Sequence, residues 1–295
     1  MVIILQEKTE ETICVLVTGA TGYIGSHAVL ELLNSGFKVI ALGNSKYRGS
    51  MLTFKRCNLQ YIDELERVAP SIEQPLEYYA NNLISSINLL KMCEKYEKKK
   101  LVFMSSATVY GVPKEMPVTE NSITGVNITN PYGWAKFMVE QILRDICKSS
   151  KDWRIITLRA FDPAGAHFSG LLGDDLNSEG PKHLMPLIAS VALGKRKAIN
   201  ICGNTFPTHD GSGSRDFVHV CDVALAIVKS VERINKNYKK EENKEENEYF
   251  NGKINEKIFN NDKNENIEAE MAKKNLNWTP KYGVDDICIH LNNCR

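Results

Sequence analysis

The amino-acid sequence predicts an α/β protein built on a doubly wound parallel sheet, followed by a smaller C-terminal lobe. Two observations carry this reading: a glycine turn between an apolar strand and an amphipathic helix, and apolar strands alternating with helical periods through the first half. At 295 residues the chain can bury a sizeable core. Its 37 basic and 36 acidic residues leave a net charge of +1, which gives no electrostatic footprint for nucleic acid or a membrane surface and favours a small-molecule client. The eight cysteines are scattered without CxxC pairs or metal-like Cys/His spacing, so they read as reduced thiols in a cytoplasmic protein. The opening MVIILQEKTEET holds one short apolar run with no basic flank and no cleavage site, and no stretch reaches membrane-spanning length.

From Ile13 to Asn44 the chain reads strand, glycine turn, helix, strand, which is one βαβ unit. Gly19, Gly22 and Gly25 have the spacing GxxGxxG: the first permits a tight turn, the second lets backbone N–H groups approach a pyrophosphate, and the third lets helix pack on strand. The phosphate then sits on a helix N-terminus, where the dipole and unpaired N–H groups favour an anion. This is a Rossmann-type nucleotide site, and its context between strand and helix separates it from a bland glycine turn. An acid is expected about 20 residues on, for the adenosine ribose. Gly43 stands there instead; Asn44 can still reach the ribose, while Lys46 and Arg48 would suit a 2′-phosphate. Both readings of the ribose end stay open.

Beyond Arg48, LTFKRCNL supplies a third strand and YIDELERV a short helix, but no apolar run remains for a fourth strand before the helix that begins near Pro75. The sheet is expected to be short of one strand and one crossover helix. KKKLVFMSSATVYG is an apolar strand whose last hydroxyls are expected to face the ligand crevice. In the next helix, entered at Pro131, Tyr132 and Lys136 lie one turn apart on one face. A tyrosine is too weakly acidic to serve as a base at neutral pH unless a nearby cation stabilises the phenolate. Lys136 and a positive nicotinamide ring would do so, and Ser106 would hydrogen-bond the reacting oxygen. YxxxK alone is common by chance; the glycine turn and the serine-ended strand give it meaning.

VTGATGYIGSHAVLELL, PLEYYANNLISSINLL, SSATVYG, NPYGWAK, GAHFSGLLGDD, LMPLIASVALGKR and RDFVHVCDVALA together resemble the UDP-glucose 4-epimerases of the extended short-chain dehydrogenase/reductase superfamily. The likeness spans about residues 13 to 234 and resumes at NLNWTPKYGVDDICIHL. It implies an NAD-binding domain over residues 1–165 and a UDP-sugar lobe over residues 166–295, with UDP-glucose and UDP-galactose as partners and a homodimer as the assembly. It also implies tightly bound NAD, with Ser106, Tyr132 and Lys136 as the catalytic trio. Gly19, Gly22, Tyr23, Ile24 and Gly25 match the pyrophosphate turn; Asn44, Asn58, Leu59, Asn81 and Phe161 match other cofactor positions. Leu184 and Arg215 match diphosphate contacts, joined by Asp162 and His183 at substrate positions where the family carries amides. Ala107 and Thr108 replace the acid pair a dehydratase needs, which suits epimerisation.

The chain departs from that pattern in three places: the absent strand and crossover helix, the carboxylate of Asp162, and residues 235–275. Asp162 would repel a diphosphate unless protonated or turned away. The stretch 235–275, rich in Asn, Lys and Glu, is expected to be disordered or a loose helix. Three readings therefore stand on sequence alone: an epimerase, a shortened inert homologue acting as a binding or regulatory subunit, and another NAD(P)-dependent redox enzyme of nucleotide sugars.

Overall fold

The computed structural model describes residues 2–5, 13–43, 52–56, 72, 75–174, 183–200, 205–206, 208–213, 215–235, 254–259 and 270–293. The first βαβ unit forms as the sequence predicts: β2 (Cys14–Thr18), α1 (Tyr23–Asn34) and β3 (Lys38–Gly43). The edge strand β4 (Leu52–Arg56) follows, and the expected helix at YIDELERV lies outside the described residues. A helical run comes next: α2 (Pro75–Tyr79), a π-helical turn (Ala80–Ile84) and α3 (Ser85–Lys95). Then come β5 (Lys100–Ser106), a 3-10 turn (Ala107–Tyr110), α4 (Pro131–Ser149) and β6 (Arg154–Ala160).

With β1 at Val2–Leu5 and β9 at Ile254–Phe259, the sheet order is β4-β3-β2-β1-β5-β6-β9, and its centre holds the first departure from expectation. The strand position the sequence leaves empty is filled by β1 (Val2–Leu5), the apolar run at the start of the chain. β1 runs antiparallel to both neighbours, with Val2 opposite Val17 of β2 and Val102 of β5. The physical reason is that β2 and β5 would otherwise each carry a row of unpaired backbone groups inside the sheet, and such groups must find partners.

The second departure lies in the stretch expected to be disordered or loosely helical, where a strand forms. Ile254–Phe259 forms β9, parallel to β6, and Glu270–Leu276 forms α7. INEKIF contributes Ile254, Ile258 and Phe259, enough apolar character for a short edge strand within a polar segment. Residues 236–253 and 260–269 lie outside the described residues.

Alternation along β5 and β6 fixes which helices cover which face. Val102, Met104, Ile156 and Leu158 join the core under α1 and α6 (Val220–Asn235). Leu101, Phe103 and Ile155 join Leu90 of α3 with Val139 and Leu143 of α4 on the other face. The sheet is thus covered on both sides, as a buried parallel sheet must be. From Asp162, three residues before the expected domain boundary, the chain builds a small parallel pair from β7 (Asp162–Ala164) and β8 (Phe217–His219), with α5 (Leu184–Ala192) and α8 (Val284–Asn293) beside it. α6 and α7 return to the main core, where Trp278 is almost fully buried and donates to the Asp222 carbonyl at 3.0 Å. Among the described residues, no helix is long and apolar enough to cross a membrane.

Candidate active site

The glycine turn after β2 has the conformation a phosphate cradle requires. Gly19 sits at φ 65°, in the left-handed region, and its carbonyl accepts the Gly22 N–H at 3.1 Å. A Cβ at Gly25 would lie 1.9 Å from the Gly19 carbonyl oxygen, so the helix approaches the turn as closely as it does only because residue 25 has no side chain. Gly22 is the N-cap of α1 and provides no side-chain acceptor, which leaves the first-turn N–H groups without a capping oxygen from that residue. These features fit the pyrophosphate of a dinucleotide.

Tyr23 and Ile24 open α1 directly after the turn, so only their backbone faces it. The Tyr23 hydroxyl is committed elsewhere, donating to the Gly165 carbonyl at 2.6 Å, and the Ile24 side chain packs on the core. Gly43 occupies the position where an acid was expected, and a Cβ there would come within 2.6 Å of the Thr21 side chain. Thr21 thus leans on the space a ribose-binding carboxylate would need. Asn44, Asn58 and Leu59 lie outside the described residues, and Asn81 is placed by its backbone in the π-helical turn.

The reacting face is organised by α4. Asn130 caps the helix, its Oδ1 accepting the Gly133 N–H at 2.8 Å, and Pro131 starts it where no backbone donor is needed. Gly133 lets the first turn of α4 abut the turn that follows Ser106: a Cβ there would lie 3.1 Å from the Thr108 carbonyl and 2.8 Å from Ile128 Cγ2. Tyr132 and Lys136 are both half-buried on this helix. Lys136 Nζ lies 5.5 Å from the centre of the Tyr132 ring and donates to the Met104 carbonyl of β5 at 3.1 Å. The structure therefore places the predicted pair where β5 ends, next to Ser106, whose Oγ accepts the Thr108 N–H at 3.3 Å. Tyr78, buried in α2, meets the Tyr132 ring edge-on at 6.3 Å.

One expectation needs correcting. Of the two hydroxyls ending β5, only Ser106 stands on the crevice side; Ser105 is buried and donates to Glu140 Oε1 at 2.5 Å. Glu140 follows Lys136 by one helical turn and is wholly buried. Arg159 of β6, also wholly buried, meets it with two bonds, Nε to Oε1 at 3.1 Å and Nη2 to Oε2 at 2.8 Å, and gives a third to the Tyr110 hydroxyl at 2.9 Å. Burial pushes the Tyr110 hydroxyl up to about 12 despite Arg159, so it stays a neutral partner. This network braces α4 against β5 and β6 one turn beyond Lys136 on the same helical face. Arg144, one turn on, also donates to Glu140 Oε2 at 3.3 Å, so it is removal of Glu140 that takes the counter-charge from buried Arg159, at a cost of about 3–5 kcal/mol.

On the lobe side, Phe161 packs with Val109, Tyr110 and Val118, so its ring is part of a small core beside the site. Asp162 of β7 lies 3.5 Å from Arg215, His183 is the N-cap of α5, and Leu184, 45% exposed, is its first residue. The carboxylate is neither turned away nor left alone: burial raises its pKa, and Arg215 and His183 pull it back.

Two histidines that sequence reasoning did not single out, His219 and His290, meet in the lobe. His219 stacks on Tyr282 at 4.5 Å and lies against Gly165, where a Cβ would be 2.7 Å from its Nε2. Its Nδ1 accepts the Cys221 N–H at 3.1 Å, so a neutral ring must carry its proton on Nε2 and donate it to His290 Nδ1 at 3.0 Å. Burial, helped by His290 and His27, holds His219 down at about 4. That value lies below the ordinary 6.5, so the unfolded chain binds more protons between the two and stability falls as pH is lowered through this window, by up to about 3 kcal/mol. We expect His219→Asn, which keeps an acceptor for Cys221, to show a smaller loss of urea-unfolding free energy between pH 7 and pH 4.5. Comparing variant with wild type also separates His219 from Asp222, whose buried carboxyl is raised to about 6 and acts in the opposite sense.

A doubly wound sheet with an uncapped glycine turn, and a Tyr and Lys one turn apart beside a serine-ended strand, defines a dinucleotide-dependent enzyme that moves a proton and a hydride together. Residues 15–243 match the NAD dependent epimerase/dehydratase family, and the chain belongs to it. A UDP-glucose 4-epimerase of Caenorhabditis elegans is 44% identical over 258 residues, covering 75% of this chain and 74% of the relative. A UDP-glucose 4-epimerase of Drosophila melanogaster is 36% identical over 330 residues, covering 93% and 94%. Among solved structures, UDP-glucose 4-epimerase from Bifidobacterium longum in complex with NAD+ and UDP superposes with a TM-score of 0.81 at 31% identity, covering 95% of this chain and 97% of that one.

Proposed function

We propose that the protein interconverts UDP-galactose and UDP-glucose through a 4-keto sugar, using bound NAD. The observation that carries this is the placement of Lys136 Nζ 5.5 Å from the Tyr132 ring, on a helix anchored to β5 two residues before Ser106. NAD, when bound, supplies the acceptor and donor of hydride for the sugar carbon. Tyr132 takes the proton of the sugar 4-hydroxyl and returns it after the ketone has presented its other face. The Lys136 ammonium stabilises the phenolate that the first step requires, and Ser106 Oγ hydrogen-bonds the reacting oxygen. After Ser106 the turn carries Ala107 and Thr108, so no carboxylate there can drive loss of water from the ketone. The family's dehydratase chemistry is thereby disfavoured.

In this reading residues 1–165 hold the cofactor and 166–295 the UDP-sugar, with Asp162 acting from β7 on the lobe side. Cytoplasmic residence suits the buried free thiols of Cys14, Cys93, Cys147 and Cys221. A homodimer is supported by apolar side chains left exposed on the helical layer, Ile84, Met92 and Met138, at 55%, 49% and 39%.

The test is to denature the purified protein, assay the supernatant for released NAD, and measure UDP-galactose conversion beside Tyr132→Phe. Released dinucleotide and a variant-sensitive conversion are expected. No released nucleotide and no difference from the variant would leave the chain an inert homologue.

A further inference from the structure

Asp162 and Arg215 form an ion pair at the lobe side of the site, Oδ2 to Nε 3.5 Å, and both side chains are more than half exposed, at 56% and 63%. A ligand arriving from solvent can therefore reach them. His183 acts on the same carboxylate, and as N-cap of α5 it offers that helix no side-chain acceptor. A guanidinium fork, a histidine and an uncapped helix start suit an anion, and Asp162 is the anion that the chain itself supplies there.

We infer that Asp162 is an internal occupant of the diphosphate subsite: its carboxylate holds Arg215 in the free protein, and a nucleoside diphosphate must take the guanidinium from it. The inference rests on the reading of the site as a UDP-sugar site. An amide at residue 162 would keep the shape of the side chain and remove the competing charge. The pair itself, exposed as it is, is weakly held, so displacement is feasible at modest ligand concentration. Repulsion between the carboxylate and the incoming diphosphate adds to the effect, since like charges brought together at a binding surface oppose association. Protonation does the same as the amide: as pH falls, Asp162 loses its charge and Arg215 passes to the ligand. The protein partly strips water from the half-exposed carboxyl, which favours its neutral form and works against Arg215 and His183 in setting where this occurs.

The experiment is calorimetric titration of wild type, Asp162→Asn, Arg215→Gln and the double variant with UDP at pH 7.5 and pH 5.5, after equal thermal unfolding midpoints have been confirmed. We expect Asp162→Asn to bind UDP about tenfold tighter at pH 7.5. In the Arg215→Gln background the same change should be worth clearly less than in wild type, only the part owed to repulsion, and an equal gain in both backgrounds would overturn the inference. The ratio of variant to wild-type affinity, which cancels the titration of UDP itself, should shrink at pH 5.5. Wild-type binding with an Asp162→Asn affinity equal or weaker overturns the inference alone and makes the carboxylate a support for Arg215. Absence of UDP binding by all four proteins overturns the reading of the site as well.

Discussion

Tyr132→Phe is expected to reduce UDP-galactose turnover by at least about a hundredfold, the contribution typical of a positioned acid or base. The substitution removes one oxygen. It keeps the ring that Tyr78 meets edge-on at 6.3 Å and the face to which Lys136 Nζ is held at 5.5 Å. Stability should therefore change little, and dinucleotide content should persist, because the pyrophosphate turn around Gly19 and Gly22 is untouched. Initial rates of UDP-glucose formation, set beside thermal unfolding of both proteins, measure this. A variant retaining more than about a tenth of the activity would remove Tyr132 from the proton step.

The second large effect is structural. Removing residues 1–6 takes β1 from between β2 and β5, where it is hydrogen-bonded on both sides. An edge strand can be trimmed with local damage; a central one cannot, because both neighbours then expose backbone N–H and C=O groups within the sheet. Both neighbours also lead into the site, β2 into the glycine turn and β5 into Ser106. The truncated chain is expected to lose cooperative urea unfolding and to accumulate as aggregate, with dinucleotide content falling in parallel. A truncated protein that unfolds cooperatively at the wild-type midpoint would show that β1 adds nothing to the sheet.

The contrast between these two features shows what a sequence exposes. The glycine turn and the Tyr132 and Lys136 pair are local: each depends on spacing within a single turn or helix, and the structure places them as read. The role of VIIL is not local. Four apolar residues carry no period long enough to name a strand, and their partner Val102 is about a hundred residues away. INEKIF was hidden differently, by polar surroundings that diluted its apolar residues below any compositional signal. The Glu140 network was half visible, since 132, 136, 140 and 144 share one helical face; that face meets the sheet, and a carboxylate there demands a cation. Naming Arg159 as that cation required the position of β6 beside β5. The Asp162 and Arg215 pair likewise needed the pairing of β7 with β8, which brings Asp162 opposite Phe217.

The central claim is that this chain inverts C4 of a UDP-sugar by removing and returning the same hydrogen, with Tyr132 handling the hydroxyl proton. UDP-galactose carrying deuterium at C4 tests it most directly, with the product read by proton NMR in ordinary water. The account predicts UDP-glucose that keeps its deuterium at C4. Product with solvent hydrogen at C4, or no UDP-glucose at all, would contradict it.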